Sequence, residues 1–120
     1  MPQVYVSITG LRLKSLWHIP RFQWHAIRSF QQAQNAPGIL KAEAKTIDGV
    51  HHTLTVWVSE DAMRTFLRSG AHRRAIRIFS VIATGKTFGF ATSTPPSWND
   101  AHRLWQERAQ VVGKKPDPDP

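Results

Sequence analysis

The chain contains no cysteine. That excludes disulfides, thiolate nucleophiles and cysteine-based zinc sites, and makes a reducing, cytoplasmic setting the expectation. Acidic residues are scarce, eight Asp and Glu against sixteen Lys and Arg, for a net charge of +8. No stretch approaches the ~20 apolar residues of a membrane-spanning helix, and no membrane partner is expected. No charged segment followed by an apolar run opens the sequence, so no signal peptide is expected. A Gly-rich phosphate loop, an HExxH pair and a G-x-S-x-G elbow are all missing. No resident cofactor and no metal site are expected.

What is present fits one domain. A chain of 120 residues, 41% hydrophobic and 20% charged, can bury a core. Five tryptophans and six phenylalanines are much large apolar surface for that length. Some of it is expected in a pocket or an interface, where aromatics carry contact energy. The basic balance raises the prior for an anionic partner, but Lys and Arg are spread out rather than blocked, which also suits a solvated surface.

Val4, Val6 and Ile8 alternate with Tyr5, Ser7 and Thr9, which predicts a first strand over 4–13 with two different faces. Pro20 suits a first helical turn, and Phe22, Ala26, Phe30 and Ala33 then recur at helical spacing. Pro37 and Gly38 end that helix. A second strand over 39–46 leads to Asp48-Gly49, a hairpin signal, and to a third strand over 53–58. Ser59 caps a helix whose inward side is expected to hold Ala62, Met63, Phe66 and Leu67. A break at Ser69-Gly70 precedes a short helix over 71–79, and a fourth strand covers 82–92. Ser97 caps a last helix with Trp98, Ala101, His102 and Trp105 on one stripe.

The order β-α-β-β-α-β is the ferredoxin-like α+β pattern, an antiparallel sheet with helices on one face. The expected division is a ferredoxin-like domain over 1–93, a helical extension over 94–112 and a disordered Pro-rich tail over 113–120. The second sheet face also needs cover. Two such sheets face to face would make a homodimeric α/β barrel, with the last helix packed across the dimer or over a pocket.

The stretch TLTVWVSEDAMRTFLRSGAHRRAI resembles the third strand and second helix of the antibiotic-biosynthesis-monooxygenase-like superfamily. Trp57 closing the strand, the capping Ser59, Met63 with Phe66 and Leu67, then Ser69 and His72 carry the likeness. At the level of element order it covers residues 4–92. The resemblance implies a dimeric α/β barrel. It also implies relatives that include cofactor-independent oxygenases of aromatic polyketides, haem-degrading oxygenases and isomerases. Haem degraders of that type use an Asn on strand one, a Trp in helix two and a His further on. The matching positions here are Thr9, Phe66 and Ile76, which disfavours that reaction. A distant likeness to carotenoid monooxygenases keeps a large apolar substrate open.

Several residues are candidates for a site. His72 could act as acid or base, beside Tyr5 and Thr9, which share a strand face and would orient a substrate. Trp24, Trp57 and Phe66 would line the cavity, and Arg73 belongs to a basic cluster that could steer a ligand. His51 and His52 point to opposite strand faces and are expected to flank the hairpin in solvent. The leading expectation is a monooxygenase-like homodimer that binds a small apolar or aromatic ligand. The alternatives are a non-catalytic ligand-binding or structural dimer and, least favoured, a basic nucleic-acid-binding module.

Overall fold

The computed structural model describes residues 3–111, apart from the side chains of Ala71, His72, Ser80 and Val111. The tail expected to be disordered lies outside the described residues.

The first strand, β1, spans Val4–Leu13. A single 3-10 turn, Leu16–His18, leads into α1, Ile19–Gln34. Next come β2, Ile39–Ile47, β3, Val50–Trp57, and α2, Glu60–Leu67. Then follow α3, Gly70–Ile82, β4, Ala83–Thr92, α4, Trp98–Arg108, and the two-residue β5, Gln110–Val111. Local chemistry explains most boundaries. Asp48 and Gly49 both hold positive φ, 52° and 78°, as a tight hairpin turn between β2 and β3 requires. The Ser59 hydroxyl accepts the Ala62 N–H at 3.1 Å, and Arg64 pairs with Glu60 one turn earlier at 2.8 Å. Ser97 caps α4 in the same manner.

The strand order is β2-β3-β1-β4-β5, antiparallel throughout. The ferredoxin-like fold is therefore as the sequence predicts. Leu67 departs from expectation: at the end of α2 it is exposed on the rim of the cleft, while Met63 and Phe66 are buried and Ala62 packs beside them.

The larger difference concerns α4. The sheet face opposite α1 is not left bare for a second copy. Ala101 of α4 is fully buried against Val6, Ile8, Leu54 and Val56, with Trp98 and Trp105 packed beside it. The Trp105 indole N–H donates to the Lys86 carbonyl at 2.8 Å, and that of Trp98 to Glu43 at 3.2 Å. Gly10 permits this approach. A Cβ there would stand 2.7 Å from Trp105 Cε2 and 2.8 Å from His52 Cε1. α4 thus packs on the second face of its own sheet, and its His102, Trp105 and Gln106 border the cleft described below.

Candidate functional site

Strand alternation sorts the side chains of the other face. Tyr5, Ser7 and Thr9 of β1 stand in register with Trp57, Thr55 and Thr53 of β3, and with Ala91, Gly89 and Thr87 of β4. The floor is a row of small hydroxyls. Above it, α1 contributes Phe22, Ala26 and Phe30, α2 contributes Met63 and Phe66, and α3 contributes Ile76 and Phe79. Between floor and roof lies a cleft that runs on to His102, Trp105 and Gln106 of α4; the whole space measures about 1480 Å³. Small-molecule sites commonly occupy roughly 300–1,000 Å³, so a polycyclic or isoprenoid-sized ligand has room.

The polar groups of the floor are few and specifically placed. Thr9 Oγ1 and Thr87 Oγ1 lie 3.1 Å apart across the β1–β4 pair. The Tyr5 phenol reaches over Gly89, where any Cβ would strike its hydroxyl. Burial raises the Tyr5 pKa above its ordinary 10.0, the Glu60 carboxylate adds to this, and Arg64 opposes it. The phenol therefore stays protonated at neutral pH and can donate a hydrogen bond. Beside the cleft, Ser69 donates to the Phe66 carbonyl at 2.7 Å and accepts from the Gln32 amide, which ties α1 to the α2–α3 junction.

The expected site residues separate. Tyr5 and Thr9 stand together on the floor. Trp57 and Phe66 belong to the wall, but as packing: their rings lie 5.2 Å apart within a cluster with Ala33 and Met63. Trp57 is fully buried, and its indole N–H has no partner among the described residues. Trp24 does not line the cleft. It points outward from α1, 61% exposed, because its position falls off the stripe of Phe22, Ala26 and Ala33. Arg73 is exposed on α3 and is likewise absent from the cleft lining. His72 belongs to α3 by its backbone, and its side chain lies outside the described residues.

Both adjacent histidines differ from the solvated pair that their place beside a hairpin predicts. They do point to opposite faces, as expected. His51 is half-buried at the cleft, its ring 4.7 Å from Phe22 and its Nδ1 3.0 Å from the Thr46 hydroxyl. Counting back by twos from Trp57 through Thr55 and Thr53 reaches it, so the signal was present in the strand period. His52 is only 2% exposed, on the α4 face. Among the described residues no group of three or more His, Cys, Asp or Glu side chains is placed to hold a metal ion.

No family model matches the sequence, and no curated protein matches it either. Solved structures do match in fold. One is SnoaB, a cofactor-independent oxygenase from Streptomyces nogalater, at 16% identity and TM-score 0.64 over 79% of this chain and 99% of that one. A second is a protein from Nitrosomonas europaea described as an antibiotic biosynthesis monooxygenase, at 9% identity and TM-score 0.64, over 79% of this chain and 91% of that one. A third, from Bacteroides thetaiotaomicron and described as a possible oxidoreductase, has 10% identity and TM-score 0.66, over 77% of this chain and all of that one. The chain shares the ferredoxin-like fold of these proteins.

Proposed function

We propose that the chain binds a small, mostly apolar aromatic or isoprenoid-like molecule in the cleft between the sheet and α1–α3, and that it does so as a homodimer. The cleft itself carries the reading: apolar side chains from three helices facing a row of hydroxyls that can orient only a few polar atoms of a ligand. The proposed chemistry is monooxygenase-like and needs no cofactor. An electron-rich substrate loses a proton, and its carbanion reacts with O2. One oxygen atom becomes a carbonyl at the reacting methylene and the other leaves as water, so the substrate supplies all the electrons. Tyr5, held protonated, and the Thr9–Thr87 pair suit the developing negative charge on a substrate oxygen. Among the described side chains, His51 at the cleft is the imidazole suited to accept the proton. His72 remains the other candidate.

A binding protein without catalysis is the second reading, supported by Trp57 and Phe66, whose rings pack on each other within a buried cluster rather than stand free in the cleft. Titration with a hydroxylated polycyclic aromatic that carries a ring methylene between two of its rings, followed by tryptophan fluorescence together with oxygen consumption, separates the two. Saturable binding with oxygen uptake that falls about 10²-fold or more in His51→Gln supports the oxygenase. Saturable binding without uptake supports the binding protein. No binding by the intact chain, with Thr9→Val indistinguishable from it, would exclude a ligand site in this cleft.

A further inference from the structure

The outer surface of α1 and α3, with the 3-10 turn before α1, has a charge of one sign. No Asp or Glu occurs at positions 1–42 or 62–99, so none of these three elements carries one. Arg21 and Arg28 of α1 and Arg73, Arg74 and Arg77 of α3 are all exposed there. The two helices pack side by side, and their outer faces are continuous: Trp24, His25 and Arg28 share a hollow of about 130 Å³ with Arg74.

The same elements expose apolar side chains. Trp17 is 92% exposed and Leu16 81%, and Ile19, Trp24, Ile27 and Val81 are exposed as well. Arg28 lies over the Trp24 ring, 5.5 Å from its centroid. No described helix is long and apolar enough to cross a membrane. A basic face studded with tryptophan and aliphatic side chains suits a different placement, in the plane of a lipid headgroup layer.

We propose that this face docks on an anionic lipid bilayer. The arginines meet the acidic headgroups, while Leu16, Trp17 and Ile19 enter the boundary with the acyl chains. Charge decides against a second copy of the chain on this face, because the arginines would meet arginines. The aliphatic residues decide against nucleic acid, since leucine, isoleucine and valine gain little from a phosphate backbone. Ile27 also lines the cleft, so docking sets part of the cleft rim close to the lipid. The docking itself does not depend on what the cleft binds.

Co-sedimentation of the full chain with vesicles tests this. One set is phosphatidylcholine alone and the other an equimolar mixture with phosphatidylglycerol, each at low and high salt. Expected are strong binding to the mixed vesicles, binding to the neutral ones weaker by about tenfold or more, and loss of the difference at high salt. Two double variants probe the two components. Arg28→Glu with Arg74→Glu and Leu16→Ser with Trp17→Ser should each weaken mixed-vesicle binding by about tenfold, with an unchanged thermal melt. Arg28→Lys with Arg74→Lys should retain it. Failure of the intact chain to sediment with mixed vesicles overturns the proposal. So does binding that both double variants leave intact. Retention on duplex DNA or single-stranded RNA without vesicle binding assigns the face to nucleic acid, and self-association abolished by the Leu16–Trp17 variant assigns it to a second copy.

Discussion

At position 52 an imidazole is sealed between a sheet and a helix with neither nitrogen hydrogen-bonded among the described residues. His102 and Trp105 of α4 meet its ring edge-on, at centroid distances of 5.2 Å and 4.6 Å. Lys45 of β2 stands opposite it, and Gly10 of β1 links its row to Lys86 of β4. Every titratable neighbour named here is basic. Burial lowers the His52 pKa below its ordinary 6.5, His102 and His51 lower it further, and the Thr9 backbone, near the ring but outside hydrogen-bond geometry, opposes this. Above pH 6.5 both the folded and the unfolded chain hold this group neutral. As the pH falls through 6.5 the unfolded chain takes up the proton first. Stability is therefore present above 6.5 and drains away until the depressed native value is reached. In melts between pH 8 and pH 5, His52→Leu should flatten the acid limb. At pH 8 it should leave the protein as stable or more stable by about 1 kcal/mol, because two buried polar atoms without partners disappear. A melt with an unchanged acid slope would place the pH dependence on other groups.

Elements were legible where one face of a segment announced itself. The Val4–Val6–Ile8 alternation specified β1, and Ser59 with Glu60 and Asp61 specified the start of α2. The docking place of α4 was not legible. The Trp98–Ala101–Trp105 stripe demands an apolar surface without saying which one, and the sheet offers two. Gly10 is the residue that decides, since its missing Cβ is the space the Trp105 ring occupies. In the sequence it reads only as a bulge or close approach. The burial of His52 is hidden for the same reason: its cover comes from a helix some fifty positions downstream, while its nearest sequence neighbours suggest solvent. The floor hydroxyls were legible because they need only the strand period. Trp24 was also legible in principle, since it falls off its own helix stripe. At this scale the test is Ala101→Asp. A carboxylate at a fully buried position against Val6 and Leu54 should cost about 3 kcal/mol or more, detach α4 and bare the apolar face. The expected readouts are a lower Tm and new concentration-dependent association in sedimentation velocity. An unchanged melt would show that α4 contributes little to the sheet.

For the whole molecule, α4 alters how the proposed homodimer can form. A barrel made by two sheets face to face needs the centre of the β1–β3 surface, and α4 occupies it through Ala101 and Trp105. The strip beside α4 stays accessible. Phe88 and Phe90 stack at 5.3 Å on β4, both half-buried, and Phe90 also packs into the core beneath α4. Phe88 is the aromatic of this pair that the core cluster does not include. A dimer that keeps α4 in place would pair through this strip, where a ring without full cover offers the apolar anchor that an interface centre uses. The basic outer face of α1 and α3 would then stay free on both copies. Phe88→Glu should weaken the dimer by about tenfold or more in sedimentation velocity and leave the thermal melt of the dilute chain within about 0.5 kcal/mol. Dimers as tight as those of the unaltered chain would move the interface away from β4. A barrel in which α4 has left its sheet would then be the alternative, and it narrows the association expected of Ala101→Asp to a tighter dimer of one defined size, because the variant frees the surface that the barrel needs.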